Sequence, residues 1–143
     1  MKAWTCLGGV SLLVILAGCT TVAPNYSTSP ESTQALQAAR VQPAKVGEFT
    51  AEATASNTTI TLRASGMAPA QGTYARYLAD AVKTELELVK LYSPSSTTEI
   101  SGVLIRNDMN TGVMVTGEGL IDARFVVRRD GAVRFDKTKL AKI

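Results

Sequence analysis

The chain has 143 residues, with 15 Lys and Arg against 12 Asp and Glu, for a formal net charge of +3. That length can bury one modest core, so a single domain is expected. Histidine is absent and the two cysteines are Cys6 and Cys19, which excludes Ser-His-Asp and Cys-His catalysis, imidazole metal sites and the usual proton shuttle near neutral pH.

A charged start at Lys2 leads into an apolar run over residues 7–16, and small residues precede Cys19. That order is a secretory signal with a cleavage site. A bilayer-spanning helix needs about 20 apolar residues, and the polar pair Thr20-Thr21 interrupts this run too early. The four residues Leu16, Ala17, Gly18 and Cys19 resemble the lipobox of bacterial lipoproteins. The resemblance implies a diacylglycerol thioether on the Cys19 sulfur, cleavage before Cys19 and acylation of the new amino terminus. Two or more acyl chains hold a protein stably to a membrane, whereas one holds it marginally. In the sorting rule that comes with the resemblance, Asp after the lipidated Cys retains a lipoprotein in the inner membrane. Thr20 therefore implies the outer membrane, facing the periplasm. Residues 1–18 are read as signal peptide, 19–31 as lipidated Cys and flexible tether, and 32–143 as one α+β periplasmic domain. Loss of Lys2 leaves the mature chain only weakly basic, so total charge points to no particular partner. Loss of Cys6 leaves no free thiol for a disulfide, a metal or a nucleophile.

Residues 20–30 are rich in Thr, Ser and Pro and carry little that could pack, which reads as the tether. Ser32 can cap a short helix running to Arg40, and Gln42-Pro43 ends it, because the residue before proline is pushed out of the helical region. Val46 and Phe49 mark a first strand over 45–52. Residues 59–63 alternate and are β-branched at Thr59, Ile60 and Thr61, a second strand. Residues 65–72, with two glycines and Pro69, read as a loop. Thr73 offers an N-cap for the best helix of the chain, 74–91, with Tyr74, Tyr77, Leu78, Ala81, Val82, Leu88, Val89 and Tyr92 on one broad side. Glu85 projects near the middle of that side, where an unpaired buried carboxylate costs several kcal/mol. Either the helix rotates so that Val82 and Leu86 face inward and Glu85 sits at the rim, or Glu85 pairs with Arg124 or Arg63 against the sheet.

Ser93-Pro94-Ser95-Ser96 stops the helix. Residues 99–106 form a third strand, apolar on both faces (Ile100 and Leu104, Val103 and Ile105) and therefore central. Residues 107–112 read as a turn. The spacing of Asp108, Asn110 and Gly112 resembles the start of a calcium loop, but the twelfth position is Gly119, so turn chemistry accounts for these residues. Residues 113–127 alternate with period two. Val113, Val115, Gly117, Gly119, Ile121, Ala123, Phe125 and Val127 share one face; Thr116, Glu118, Asp122, Arg124 and Arg128 dominate the other, as in a long half-buried strand. Asp130-Gly131 signals a hairpin into a last strand from Val133 to about Lys142. A two-residue turn would set Arg134 beside Val127, and a three-residue turn with a bulge would set Phe135 there. The hydrophobic match favours the bulged form. The tail still alternates, and its lysines discourage edge-to-edge pairing.

Arg124, Arg128, Arg134, Lys137 and Lys139 crowd this last stretch. They form either a basic binding face for lipid phosphates, lipopolysaccharide or an acidic protein, or a solvated outer sheet face. Nucleic acid is not expected, since no stacking aromatics interleave with these charges. Glu85 and Glu87 lie on different sides of a helix and make no catalytic pair. There is no phosphate-binding glycine loop and no nucleophile elbow. No catalytic residue, metal or cofactor is therefore expected.

The expected fold is α+β: a mostly antiparallel four- to five-stranded sheet packed on one long helix, with a short N-terminal helix. The stretches Glu99-Ile-Ser-Gly-Val-Leu, Glu118-Gly-Leu-Ile-Asp-Ala-Arg-Phe-Val-Val and Arg128-Arg-Asp-Gly resemble an uncharacterised group of small proteobacterial lipoproteins. That resemblance covers residues 45–139 and implies further strand and helix after the present end. More loosely, helix followed by meander is similar to auxiliary lipoproteins of envelope lipid transporters and to the lipopolysaccharide-assembly lipoprotein. The expected function is non-enzymatic: a membrane-tethered binding or scaffold module in the bacterial cell envelope, with an envelope protein partner. The alternative is an accessory lipoprotein of an envelope lipid or lipopolysaccharide transport system, which needs an apolar groove between helix and sheet.

Overall fold

A computed structural model describes residues 20–62, 65–111 and 117–142. The elements run β1 (Thr20–Val22), α1 (Pro30–Ala38), β2 (Lys45–Ala51), β3 (Ile60–Leu62), β4 (Ser65–Ala68), α2 (Tyr74–Leu88), β5 (Thr98–Thr111), β6 (Gly117–Arg129) and β7 (Ala132–Lys142). The mixed α+β class is as the sequence implies. The single sheet is not: the strands form a three-stranded sheet in the order β1-β4-β3 and a four-stranded sheet in the order β2-β5-β6-β7. Each contains one parallel pairing, β1 with β4 and β2 with β5. The reason lies in the connections. Parallel neighbours need a long crossover, and the chain between β2 and β5 supplies one that includes α2.

Both helices are set by their caps. Ser29, not Ser32, caps α1: its side chain accepts from the Ser32 N–H at 3.1 Å, and Pro30 takes the first helical turn, where its missing N–H costs nothing. Thr73 caps α2 as its position implies, accepting from Arg76 N–H at 3.2 Å. The far end of α2 comes three residues earlier than the apolar pattern predicts. Lys90 turns left-handed at φ 59°, Lys90 N–H donates to Glu87 O at 3.0 Å and Leu91 N–H to Leu86 O at 2.8 Å. That pair of bonds is the Schellman arrangement, which closes a helix. Leu86 is buried and Leu88 exposed, so α2 is rotated to carry Glu85 toward the rim.

Strands also appear where loops were expected. Residues 65–68 pair as β4 on both sides. Gly66 there is not a turn glycine: a Cβ on it would lie 2.9 Å from Thr59 Cγ2, so the residue permits close approach. Residues 107–111, read as a turn, continue β5, with Asn107 opposite Ile121 and Asp108 opposite Leu120. Asn107 is 3% exposed and its amide donates to Ser56 O at 3.0 Å, which satisfies the buried donor inside the strand. β5 itself is interior to its sheet, as its two apolar faces imply.

The β6–β7 hairpin places Phe135 opposite Val127. Asp130 and Gly131 have φ 52° and 78°, a two-residue turn with both centres left-handed, whose twist suits a hairpin. The register then shifts between Val127 and Arg128, leaving Arg134 without a partner. The bulge, rather than a longer turn, brings the apolar pair together.

One core joins the layers. Leu104, 1% exposed, packs with Ala23, Ile60 and Tyr74, and Met67, Leu78, Met109 and Ile121 close around them. The Tyr74 hydroxyl donates to Met67 O at 2.8 Å, and burial raises its pKa above the ordinary tyrosine value. α2 lies on β2 and β5. Beside it, Gly102 lets Phe49 cross the strand, since a Cβ there would stand 2.5 Å from the ring, and Phe49 meets Phe125 edge to face at 6.2 Å.

Candidate functional site

The expected cleavage motif Leu16, Ala17 and Gly18 and the expected lipidation site Cys19 lie outside the described residues. The chain that follows is firmly placed. Thr20 pairs with Gly66, Thr21 Oγ1 donates to Gly66 O at 3.2 Å, and Ala23 is buried with its N–H on Ala68 O at 2.8 Å. The tether reading therefore fails for residues 20–23, because each of them finds a partner on β4. Farther on, the Tyr26 hydroxyl donates to Glu85 Oε1, and Ser32 Oγ donates to the same oxygen at 2.7 Å. Burial first, then the hydrogen bond and charge of Glu85, push the Tyr26 hydroxyl up to about 12. Glu85 thus meets hydroxyls from the segment before and inside α1. Arg124 binds elsewhere, and Arg63 lies outside the described residues. Sequence reasoning missed Tyr26, although it is the sole aromatic residue between Thr20 and Phe49.

The five basic residues do not share a face. In β6, Arg124 and Arg128 lie opposite Val103 and Glu99 of β5, on the face away from α2. Arg124 grips Asp136 with two bonds, Nε to Oδ1 at 2.6 Å and Nη2 to Oδ2. The bonds from Arg124 hold the Asp136 carboxyl below its ordinary value. Glu48 and Glu99 line the same shallow depression as both arginines, and Lys45 reaches Glu99 at 3.2 Å. This face is a lattice of mixed charge. Lys137 and Lys139 lie opposite Phe125 and Ala123, on the other face, and Arg134 sits at the bulge. The bulge and the period-two alternation separate what linear crowding joined.

Among the described residues, β7 is one edge of the four-stranded sheet and β2 the other. β7 is exposed along all eleven residues, with Val133 at 52%, Phe135 at 40% and Leu140 at 51%. Asp136 is its sole acid and is held by Arg124. Among the described residues, Arg134, Lys137, Lys139 and Lys142 pair with no carboxylate. Among the described residues, one flank of this strand therefore has no neighbouring strand and lies under a positive field.

A second feature is an apolar cleft of about 190 Å³, between α2 and the two sheets. Pro24, Ile60, Met67, Tyr77, Leu78 and Ile121 line it. Its volume is below the roughly 300–1,000 Å³ usual for small-molecule pockets.

No family model matches the chain, and no curated protein matches it. A crystal structure of protein XCC0632 from Xanthomonas campestris, family model DUF330, has a similar fold. It superposes with a TM-score of 0.60 over 86% of this chain and 76% of that one, at 12% sequence identity. A second crystal structure, described only as an uncharacterised protein, covers 71% of this chain and 72% of its own at 10% identity, with a TM-score of 0.49. At 12% identity the likeness to XCC0632 is one of architecture: this chain shares its fold with a bacterial protein of an uncharacterised family.

Proposed function

We propose that this protein is a non-enzymatic, lipid-anchored binding or scaffold module of the bacterial cell envelope, held on the periplasmic side of the outer membrane. The anchor rests on the lipobox-like Leu16-Ala17-Gly18-Cys19 and on Thr20 after it. The binding role rests on one observation, the β7 edge with its exposed apolar residues. Such an edge takes an extended segment as an added strand: main-chain bonds supply affinity and alternate side chains supply selectivity. Four uncompensated cations on β7 select an acidic segment. They also oppose self-pairing, which would set like charges across the seam. The partner is therefore an envelope protein that presents an acidic, extended stretch.

Photocrosslinkers at Lys137 and Lys139, with Thr84 on exposed α2 as control, test this in intact cells. The expected result is one envelope protein captured from the β7 positions alone. Capture of nothing but the most abundant lipoproteins from all three positions would overturn the reading. The anchor is tested separately. Cys19→Ser should abolish both lipid-dependent processing and membrane association.

The apolar cleft favours a second reading, an accessory lipoprotein of an envelope lipid or lipopolysaccharide transport system. At about 190 Å³ the cleft must widen to admit an acyl chain. Saturable binding of a fluorescent fatty acid, weakened by Leu78→Trp, would carry that reading. Binding insensitive to Leu78→Trp would remove its support.

A further inference from the structure

From the fastening of residues 20–32, we infer that the body sits flush on the bilayer, with the end of the β1-β4-β3 sheet that bears Thr20 against the lipid headgroups. The inference rests on the lipid-anchor reading and deepens it. A free tether over residues 20–30 would have a root-mean-square reach of roughly 18 Å, at about 5–6 Å times the square root of its length. The chain does not leave that slack. Thr20 is already in register with Gly66, Ala23 is buried, and Tyr26 and Ser32 both donate to Glu85. These are three separate holds, at Gly66, in the core and at Glu85 Oε1, and the first acts on the residue next to Cys19.

An acylated cysteine lies at headgroup level, and the next Cα is about 3.8 Å away. β1 runs parallel to β4 and β4 antiparallel to β3, so the start of β1, the start of β4 and the end of β3 share one end of the sheet. Thr20, Thr61 and Ser65 are exposed there. Among the described residues this rim carries hydroxyls, which suit the hydrogen-bonding headgroup zone. The consequence concerns partners: a protein that binds this body must come to the membrane surface, because the body cannot swing out to meet it.

The test uses the chain from Cys19 onward, made without lipid. Cys19 is its sole thiol, and it has no tryptophan, since Trp4 precedes it. The thiol is coupled to maleimide-bearing phosphatidylethanolamine in phosphatidylcholine vesicles that contain a shallow nitroxide lipid. Tryptophan is introduced as Ser65→Trp or, as a second probe of the same rim, Thr61→Trp, with Arg76→Trp on exposed α2 as control. The expected result is several-fold stronger quenching at the rim than at position 76. A ten-residue Gly-Ser insertion between Cys19 and Thr20 should abolish the difference. Equal quenching at rim and control, or a difference that survives the insertion, would overturn the inference. Those outcomes would leave the cellular anchor standing. Failure of the Cys19→Ser experiment would sink the anchor and leave the vesicle result intact.

Discussion

Glu85 shows how one polar side chain on an apolar stripe can be held without a cation, although only Oε1 takes hydrogen bonds and Oε2 is buried without a partner among the described residues. Its carboxylate collects hydroxyls from Tyr26 and Ser32, so the segment before α1 is pinned across α2. A hydrogen bond to a charged acceptor contributes about 1.5–3 kcal/mol, and the exposure of Tyr26 puts its bond at the low end. Tyr26→Phe should therefore lower stability by about 1.5 kcal/mol and speed amide exchange in β1. The same bond has a pH signature. The Tyr26 hydroxyl is near 10 when unfolded and pushed up to about 12 in the fold. The native state thus favours the neutral phenol. The stability it contributes is complete below pH 10 and is lost as pH climbs from 10 to 12. Urea midpoints for the parent should fall more steeply across that window than those for Tyr26→Phe. Parallel curves would mean that the hydroxyl is not held. Gly102 is a second residue with a sharp expectation. A Cβ there would meet the Phe49 ring at 2.5 Å and the Arg124 carbonyl at 3.2 Å, so Gly102→Ala should cost about 1–3 kcal/mol by overpacking.

At the level of elements, what was legible depended on period and cap. The alternation through Ile121, Ala123, Phe125 and Val127 located β6, and apolar matching set Phe135 across from Val127. Thr73 marked the start of α2. The misread stretches share a cause: residues associated with breaks do other work here. Gly66 relieves a contact within a strand, and Asn107 satisfies a carbonyl across the fold rather than its own turn. β1 was illegible because three residues, Thr20-Thr21-Val22, have no period of their own and are ordered only by β4. The end of α2 was hidden because a lysine stands where glycine usually closes a helix. Left-handed backbone costs an L-residue about 1–2 kcal/mol, and glycine loses part of that gain through its freedom when unfolded. Lys90→Gly should therefore stabilise the protein by about 0.5–1 kcal/mol, read as an upward shift of the urea midpoint with unchanged slope. A destabilised variant would mean that the Schellman bonds do not form.

The whole molecule is two sheets that share one core, and this arrangement could not be read from strand propensities. The sequence pattern predicts which face of each strand is apolar, but not which strands are neighbours. Parallel pairing of β2 with β5, and of β1 with β4, depends on connections that local pattern does not encode. For the same reason the basic residues of the last strands looked like one surface, although the register divides them between two faces. The shared core makes the sheets interdependent. Ala23 and Ile60 belong to the three-stranded side, Tyr74 to α2 and Leu104 to the four-stranded side, and they form one cluster. If each sheet had its own core, removal of a side chain from one would leave the other intact. With a common core, Leu104→Ala should cost about 2–5 kcal/mol and weaken both sheets together. Unfolding followed by far-ultraviolet circular dichroism and by a tryptophan placed at Ser65 should then give superimposable transitions, each shifted equally by Leu104→Ala. Separate transitions, with the Ser65→Trp signal unmoved by the substitution, would divide the molecule into two units. They would also remove the rigid link between Thr20, beside the proposed anchor, and β7, on which the proposed docking at the membrane surface depends.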